Sequence, residues 1–299
     1  MKIILTGSIG NIGAPLTQKL VARGNEVTVV SSNAERKAAI LALGATAAIG
    51  ALQDTEFLTA TFKGADLVYT LVPPANYFDQ QLDLLSYFTE LGESFAKAVK
   101  QSGVKRVINL SSIGAHLEKG NGILEGTFQV EQRLNRLPEE VYITHIRPVE
   151  IYYNLFQYIP LIKHQGIIAS NLAADTVNNW VSTEDIADAV VEEIYASTKR
   201  RKVKYVASDH TTYQELASTL GEAIGKPDLK WTQITDAQLQ ENLIGVGMQP
   251  QIAVKMTEMY AAIRSGLLYE HYHQHPPASF GKVKMQDFAR SFAQAYQQD

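Results

Sequence analysis

The stretch Lys2-Ile3-Ile4-Leu5-Thr6-Gly7-Ser8-Ile9-Gly10-Asn11-Ile12-Gly13 decides the predicted fold of this 299-residue chain. Its first residues are mostly apolar and favour a β-strand, and they lead directly into three glycines spaced by three. An amphipathic run follows at once, and Gly24 marks where the resulting helix should end. A strand, a glycine turn and a helix in this order are what a dinucleotide-binding site requires.

Each glycine of this turn has a chemical reason to be there. One allows the tight turn, a second lets the backbone approach a pyrophosphate, and a third lets the helix pack closely on the strand. The unpaired amides and the positive end of the helix dipole then face the phosphates. We therefore predict that a dinucleotide cofactor binds at Gly7, Ser8, Ile9, Gly10, Asn11, Ile12 and Gly13.

Beyond this turn, the sequence predicts an α/β fold with a doubly wound parallel sheet, the Rossmann arrangement. Apolar runs after the first strand predict strands over residues 26–30, 45–49, 66–72, 104–110 and 141–146. Helical spacing predicts helices between them over residues 33–43, 54–62, 77–101 and 125–136. Strands and helices that alternate in this way form parallel sheets with right-handed crossovers.

The alternation stops after Arg147-Pro148. Capping patterns that begin at Ser182 and Thr212 predict two helices, and residues 236–243 and 250–263 also have helical spacing. We therefore expect a helical C-terminal region without a parallel sheet of its own.

These patterns predict two domains. Residues 1–150 are expected to form an NAD(P)-binding Rossmann domain, which also receives parts of residues 175–206. Residues 151–299 are expected to form mainly a smaller, mostly helical lobe that covers the strand ends and shapes a substrate cleft.

Composition and charge argue against several classes of function. The net charge of −4 is unlike that of a general nucleic-acid binder, and the basic run at residues 199–202 is interpreted as a solvated loop. The absence of cysteine excludes disulfides, thiolate metal ligands and cysteine nucleophiles. No apolar stretch approaches the length of a membrane span, and the first residues lack a signal-peptide pattern. We expect a soluble cytoplasmic protein that binds neither nucleic acid nor membrane.

The end of the second predicted strand bears on the choice between NAD(H) and NADP(H). Proteins that bind NAD commonly place an acidic residue there, but Val30 is followed by Ser31-Ser32-Asn33. Ser32 and Asn33 can donate hydrogen bonds to a 2′-phosphate, and Arg36 is close in sequence. This pattern favours NADP(H) over NAD(H). The alternative interpretation of Arg36 is a simple exposed helix residue.

Further motifs accompany the glycine turn. They are Ser111-Ser112-Ile113-Gly114 after the fifth strand, Arg147-Pro148 followed by Asn154, and residues 181–190 and 260–263. Together they resemble the NmrA-like family of atypical short-chain dehydrogenase/reductases over nearly the whole chain. The resemblance implies binding of NADP(H) or NAD(H). Some members reduce quinones or other small carbonyl compounds, and others sense the redox state of the cofactor without evident turnover.

The resemblance also implies positions for the rest of the site. Ligands of such folds lie outside the carboxyl ends of the strands, so Leu71, Val72 and Pro73 would line the nicotinamide end. Ser111 occupies the position of a catalytic or substrate-orienting serine, which also places it among the cofactor-binding residues. A hydroxyl that merely satisfies local backbone groups is the alternative interpretation of Ser111.

The chain departs from the wider superfamily at its catalytic pair. That pair is Tyr-x-x-x-Lys, in which the lysine lowers the pKa of the tyrosine so that the phenol acts as acid or base. Registered on Val130-Glu131, the two positions fall on Ile123 and Thr127, which cannot do this chemistry. Tyr195 and Lys199 have the right spacing but lie well past the sixth strand, and we interpret them as a coincidence.

Other candidate residues have simpler interpretations. The family places an acid near Ala51, where only Asp54 remains, and we interpret Asp54 as a helix cap. Residues 270–275 carry three histidines but are predicted to form a surface loop, and no metal site is predicted. His116 is predicted to lie in a flexible surface loop, with a position facing the substrate as the alternative. Aromatic residues near the domain junction are interpreted as packing residues: Tyr152, Tyr153 and Trp180.

The missing pair leaves a cofactor site with little acid–base machinery, and three functions remain open. The leading hypothesis is an NADPH-dependent reductase that passes hydride to a small electron-poor acceptor, a quinone or similar carbonyl compound, whose proton can come from water. The second is a non-catalytic NAD(P)H sensor with a regulatory protein partner, which the missing pair favours. A nucleotide-sugar epimerase or dehydratase is third. A homodimer is compatible with all three.

Overall fold

The computed structural model describes residues 1–197 and 200–298 of the chain. Its strands are β1 (Lys2–Leu5), β2 (Glu26–Ser31), β3 (Thr46–Ile49), β4 (Leu67–Leu71), β5 (Arg106–Leu110), β6 (Tyr142–Pro148), β7 (Glu150–Ile151), β8 (Ile167–Ser170), β9 (Val177–Val181), β10 (Lys202–Val206), β11 (Asp209–Thr212) and β12 (Lys230–Gln233). Its helices are α1 (Gly13–Ala22), α2 (Arg36–Ala42), α3 (Thr55–Phe62), α4 (Leu84–Ser102), α5 (Glu125–Asn135), α6 (Ile159–Gln165), α7 (Thr183–Tyr195), α8 (Tyr213–Ala223), α9 (Asp236–Gly245), α10 (Pro250–Arg264), α11 (Glu270–Gln274) and α12 (Met285–Gln298). Short 3₁₀ helices cover Gly122–Leu124, Tyr152–Tyr158 and Leu267–Tyr269.

The main sheet has seven parallel strands in the order β10-β6-β5-β4-β1-β2-β3, which confirms the predicted doubly wound fold. Helices α1 and α7 pack together on one face of the sheet, and α3, α4 and α5 pack on the other. The strand order reverses between β1 and β4. Ligands of open parallel sheets bind at such a reversal, outside the carboxyl ends of the strands.

Capping residues set the helix boundaries as the sequence predicts at two places. The Ser182 hydroxyl accepts a hydrogen bond from the Asp185 N–H at the start of α7 (2.9 Å). At the start of α8, Thr212 and Glu215 form a reciprocal capping box. In the described part of the chain, no helix is long and apolar enough to cross a membrane.

Helix α4 begins seven residues later than its apolar spacing predicts. Its cap is Asp83, whose carboxylate accepts a hydrogen bond from the Ser86 N–H (2.9 Å). Tyr77 and Leu82 precede the helix and pack against the core of the C-terminal lobe instead, and the Gln249 N–H donates to the Tyr77 carbonyl (2.9 Å). The apolar spacing continued upstream because these residues are also buried, although against a different partner.

The C-terminal lobe has small sheets of its own, so the prediction of a lobe without a parallel sheet is wrong. Strands β8 and β12 pair in parallel, and β7, β9 and β11 form a second small sheet. These strands have two to five residues, which is too short for an alternating pattern to stand out in the sequence.

The chain beyond β9 returns to the main sheet. Strand β10 pairs with β6, with Tyr205 opposite Arg147, and it becomes the edge strand. The Asp185 carboxylate on α7 then fixes the segment before α12, because it accepts hydrogen bonds from the N–H groups of Lys282 (2.9 Å) and Val283 (3.0 Å). The Ser208 hydroxyl donates to the same carboxylate (2.6 Å).

Candidate functional site

The glycine turn lies at the carboxyl edge of the main sheet, between the ends of β2 and β4. The Ser8 N–H donates to the Val30 carbonyl (3.0 Å), and the Ser8 hydroxyl donates to Ser31 Oγ (3.1 Å). On the other side, the Leu71 N–H donates to Thr6 Oγ1 (2.9 Å). The protein's own contacts therefore hold the turn against both neighbouring strands.

A Cβ atom added to each glycine of the turn would meet a different environment. On Gly7, whose φ is +88°, it would lie 2.2 Å from the Leu71 side chain. On Gly13 it would lie 2.1 Å from the Ser8 carbonyl oxygen. On Gly10 it would meet nothing within 4 Å. Packing within the protein therefore requires glycine at positions 7 and 13, whereas Gly10 keeps a space open outside the chain.

Backbone amides at the start of α1 face this open space unpaired. In residues 1–197 and 200–298, the N–H groups of Asn11, Ile12 and Gly13 have no acceptor, and Gly10 and Asn11 are exposed. Unpaired amides at the positive end of a helix dipole bind anions. The turn therefore fits a pyrophosphate group, since it offers donors and has no side chain at Gly10 to block the approach.

The end of β2 is polar and carries no acidic side chain before Glu35. Ser31 is buried, and its hydroxyl accepts a hydrogen bond from the Asn33 N–H (3.2 Å). The Asn33 side-chain oxygen accepts one from the Glu35 N–H (2.8 Å). Ser32, Asn33 and Arg36 are all exposed, so their side chains are accessible to a ligand at this edge.

The residues after β4 reach the same edge. Leu71 packs directly against Gly7, and Val72 and Pro73 are partly exposed. The Tyr87 hydroxyl donates to the Pro73 carbonyl (3.1 Å), which fixes the chain where it leaves the strand. The structure therefore brings Leu71, Val72 and Pro73 beside the glycine turn.

Ser111 lies at the same edge, one strand further along, because Leu110 of β5 pairs with Leu71 of β4. Its N–H donates to the Ile146 carbonyl (2.8 Å). Its hydroxyl donates to Glu131 Oε1 of α5 at 2.5 Å. The hydroxyl is therefore bound to a carboxylate rather than to local backbone, which was the alternative interpretation from the sequence.

Glu131 forms a buried ion pair with Arg147 next to Ser111. The Arg147 Nη2 and Nε atoms donate to the two carboxylate oxygens at 2.6 and 2.9 Å. Burial opposes the charge of this carboxylate, but His145 and the hydrogen-bonded Arg147 outweigh it, and the pKa of Glu131 lies below its ordinary value. The ion pair therefore keeps a negative charge inside the protein, where a lone carboxylate would be costly.

Arg147 continues this polar network toward α11. Its Nη1 donates to the Tyr205 hydroxyl (3.1 Å), which lies 3.0 Å from His271 Nδ1. His271 belongs to helix α11, so the prediction of a surface loop over residues 270–275 is wrong. In the described residues, no group of three His, Cys, Asp or Glu side chains converges on a metal site.

His116 also packs against this network. The prediction that His116 lies in a flexible surface loop is therefore wrong. Its ring lies 5.5 Å from that of His271. Both ring nitrogens are buried, and neither has a hydrogen-bond partner in the described residues. Burial, with a smaller contribution from the Arg147 charge, lowers the pKa of His116 to about 4, so the imidazole is neutral at pH 7.

Ile123 and Thr127, the positions that the sequence registration predicts for the catalytic pair, lie around the start of α5. Ile123 is aliphatic, and the Thr127 hydroxyl donates to a backbone carbonyl of the preceding turn (2.7 Å). Tyr195 ends α7 and is 47% exposed, and Lys199 lies outside the described residues. Neither Ile123 nor Thr127 has a side chain that acts as an acid or base near neutral pH.

The remaining candidates from the sequence have structural roles. The Asp54 carboxylate caps α3 and accepts a hydrogen bond from the Phe57 N–H (2.9 Å), as predicted. Tyr152 and Trp180 are buried and stack on each other, with ring centroids 6.0 Å apart. Tyr153 is 48% exposed and packs edge-on against a neighbouring ring.

A second carboxyl with a shifted pKa is that of Glu150, at the start of β7. The sequence did not single it out. Glu150 Oε2 accepts hydrogen bonds from Asn178 Nδ2 and from the Tyr213 hydroxyl (3.3 Å). Loss of solvation among the surrounding tyrosines nevertheless raises the pKa of Glu150 to about 7. This carboxyl is therefore half-protonated near neutral pH.

Sequence reasoning missed Ser31, Glu131 and the polar network around Arg147. A signal for the ion pair was present, because Glu131 lies between apolar residues on the inner side of α5 and Arg147 interrupts an apolar strand. Opposite charges in two buried elements predict each other, since neither is stable there alone. Ser31 had no such signal, because one more serine at a strand end is ordinary.

A doubly wound parallel sheet with a glycine turn at its switch point defines the Rossmann class of nucleotide-binding folds. Within this class, the model of the NmrA-like family matches residues 1–271, and the chain belongs to this family. The resemblance predicted from the sequence motifs is thereby confirmed.

Proteins similar to the chain have the names of reductases and of an epimerase. An NAD(P)H azoreductase from Xenophilus azovorans is 24% identical over 264 residues, which cover 87% of this chain and 86% of the relative. A second similar protein is an NADPH-dependent quinone oxidoreductase from Escherichia coli, whose structure was solved in complex with NADPH. Its TM-score is 0.78 at 18% identity, and the match covers 97% of this chain and 99% of that chain. A nucleoside-diphosphate-sugar epimerase from Staphylococcus aureus has a TM-score of 0.77 at 21% identity, with 97% and 100% covered.

Proposed function

We propose that this chain binds NADP(H) at the carboxyl edge of its main sheet and reduces a small electron-poor acceptor such as a quinone. The observation that carries the proposal is the space at Gly10, which a Cβ would enter without meeting any protein atom. Unpaired amides of Asn11, Ile12 and Gly13 border that space. Every α-helix leaves its first amides unpaired, and a phosphate in this open space would accept from them.

The other predicted site residues extend from this point in both directions. At the end of β2, Ser32, Asn33 and Arg36 would hold the adenosine ribose and its 2′-phosphate, because they offer donors and positive charge with no competing acid. In the other direction, residues 71–73 and Ser111 would border the nicotinamide ring. The cofactor, when bound, supplies a hydride from that ring.

The chemistry of the acceptor follows from what this chain lacks. Because Ile123 has no ionisable group, the protein offers no phenol there to protonate a reduced substrate. Acceptors whose reduced form is stable as an anion, and takes its proton from water, suit such a site. Quinones have this property. The names of the azoreductase and the quinone oxidoreductase, two proteins similar to this chain, support an acceptor with a conjugated electron-poor system.

NADPH oxidation by the purified protein tests the proposal. Cofactor absorbance would be followed with a panel of quinones, azo compounds and aldehydes, with NADH in parallel. We expect saturable turnover with quinones and little with aldehydes. Tight NADPH binding without turnover on any acceptor would contradict the reductase.

That outcome would favour the second candidate, a redox sensor that binds the cofactor without turnover. The sequence registration, which predicts Ile123 and Thr127 at the positions of the catalytic pair, supports the sensor. An epimerase is disfavoured for this reason, since it must withdraw and return protons on a sugar hydroxyl. A homodimer and a regulatory protein partner stay predictions.

A further inference from the structure

The hydrogen bond between Ser111 and Glu131 has a direction that chemistry fixes. An ionised carboxylate can only accept hydrogen bonds. The Ser111 proton must therefore point at Glu131 Oε1, 2.5 Å away. A hydroxyl has one proton and two lone pairs, so Ser111 Oγ presents only lone pairs to any other group that approaches it.

Arg147 maintains this direction by keeping Glu131 ionised. Its guanidinium donates to both carboxylate oxygens, and the two side chains are 5% and 3% exposed. A bidentate, charge-assisted pair of this kind holds both partners in one geometry. The Ser111 hydroxyl is thereby oriented before any ligand binds.

The position of Ser111 indicates which ligand group meets these lone pairs. Gly7 follows β1 and Ser111 follows β5, with β4 between them, so they lie about two strand spacings, or roughly 10 Å, apart. A ribose with its nicotinamide ring spans this distance from a pyrophosphate at the glycine turn. The carboxamide of that ring carries two N–H donors.

We propose that Glu131 is a positioning residue that makes Ser111 a hydrogen-bond acceptor for the carboxamide N–H of the nicotinamide ring. This inference rests on the proposed cofactor site and adds a function for its Ser111 end. It also separates Ser111 from the missing catalytic pair, because a hydroxyl whose proton is committed to Glu131 cannot polarise a substrate carbonyl. Ketones would then be poor substrates, and acceptors that need no such polarisation would be good ones.

A cofactor analogue without the N–H donors tests the proposal by binding alone. In 3-acetylpyridine adenine dinucleotide phosphate, a methyl group replaces the amide nitrogen. We expect the wild-type protein to bind NADP⁺ about three- to tenfold more tightly than this analogue, the worth of one ordinary hydrogen bond. In Ser111→Ala the two dissociation constants, measured by calorimetry, should become equal. Ser111→Thr keeps the hydroxyl and should keep the preference.

Glu131→Gln tests the positioning role itself. The amide of the new side chain has one oxygen where the carboxylate has two, so Ser111 and the Nε and Nη2 groups of Arg147 compete for it. The Ser111 proton is then no longer committed to a group that can only accept, and the preference for NADP⁺ should weaken although Ser111 is unchanged. Glu193→Gln is the matched control, because Glu193 is also a buried carboxylate that accepts from a hydroxyl, Thr144 (3.0 Å), and pairs with a cation, Lys202 (2.8 Å). It should keep the preference.

The outcomes separate this inference from the proposed function. Wild-type protein that binds 2′-phospho-ADP-ribose and both dinucleotides, but without preference between the dinucleotides, overturns the inference alone. A preference that survives in Ser111→Ala does the same, and it decides the matter even when Glu131→Gln does not fold. Wild-type protein that binds none of the three ligands overturns the proposed function and this inference together.

Discussion

Gly10 and Gly13 are three residues apart in one turn, yet a side chain at each would have opposite consequences. At Gly13 the Cβ would collide with the Ser8 carbonyl oxygen, whereas at Gly10 it would enter open space. Sequence alone predicted both as cofactor-binding residues, because it assigned three roles to the three glycines without saying which glycine has which role. The surrounding atoms distinguish Gly13, which the fold needs, from Gly10, which it does not.

Gly10→Val should therefore fold normally and lose cofactor binding. We expect its melting temperature to stay within about 2 °C of wild type, as for a surface substitution, while its affinity for NADPH falls more than tenfold. Gly13→Val should instead melt well below wild type. Calorimetry and NADPH titration check both variants, and a Gly10→Val protein that binds NADPH normally would remove the main support for the proposed site.

Glu150 gives the stability of the protein an unusual dependence on pH. Its pKa is raised from 4.5 to about 7 in the folded protein, so the folded state holds a proton there that the unfolded state releases. Stability must therefore fall as pH rises from about 4.5 to 7, by up to about 3 kcal/mol for this group. Above pH 7 the penalty is constant.

Glu150→Gln removes this titration and keeps an oxygen that can accept from Asn178 and Tyr213. We expect the unfolding free energy of the variant minus that of wild type to be larger at pH 8 than at pH 5. The increase should be up to about 3 kcal/mol. Urea unfolding at the two pH values measures the difference. A stability difference from wild type that is the same at both would argue against the raised pKa.

At the scale of elements, the sequence predicted what long and regular patterns encode. The strands from β1 to β6 and the capped helices α7 and α8 were found because their apolar runs and caps are local signals. The start of α4 was misplaced because Tyr77 and Leu82 are buried against the other lobe, which no local pattern reveals. The ion pair of Glu131 and Arg147 was missed although each charge lies in an otherwise apolar element, because the two elements meet only in the folded chain.

The link between α7 and the segment before α12 depends on Asp185. Asp185→Ala would leave two backbone N–H groups and the Ser208 hydroxyl without their acceptor. We expect a loss of about 2–4 kcal/mol in the free energy of unfolding and faster hydrogen exchange at Lys282 and Val283. Glu192→Ala on the same helix is the control, since it removes an exposed ion pair with Lys204, away from Lys282 and Val283. Equal exchange in the two variants would contradict the assigned role of Asp185.

At the scale of the whole molecule, the main sheet and the C-terminal lobe are built from interleaved parts of the chain. Strand β10 lies beyond residue 150 and completes the main sheet. Helix α7, also beyond residue 150, packs on that sheet. The segment between β4 and α4, in return, packs on the lobe through Tyr77. We therefore expect a ligand at the sheet edge to stabilise the entire molecule rather than one part.

Thermal shift measurements with NADPH and NADH test this expectation and the cofactor preference together. A ligand present at a hundred times its dissociation constant adds about 2.7 kcal/mol, so NADPH should raise a single melting transition by several degrees. NADH at the same concentration should raise it less, because it lacks the 2′-phosphate that Ser32, Asn33 and Arg36 would hold.

Arg36→Glu should reduce the shift with NADPH and leave the shift with NADH nearly unchanged. Lys97→Glu, an exposed lysine on α4, makes the same change in net charge away from the sheet edge and should change neither. Equal shifts for the two cofactors in the wild-type protein would rule out the predicted preference for NADP(H).

The late return of β10 to the main sheet has a consequence for synthesis of the protein in the cell. Strand β6 ends at Pro148, but β10, which pairs with its outer edge, begins only at Lys202. At 5 to 20 residues per second, a ribosome needs roughly 3 to 11 s to make the intervening chain. During this interval the nascent protein presents the unpaired backbone groups of β6, a ready template for wrong pairing. A chaperone that shields this edge would act before the last strand emerges from the ribosome.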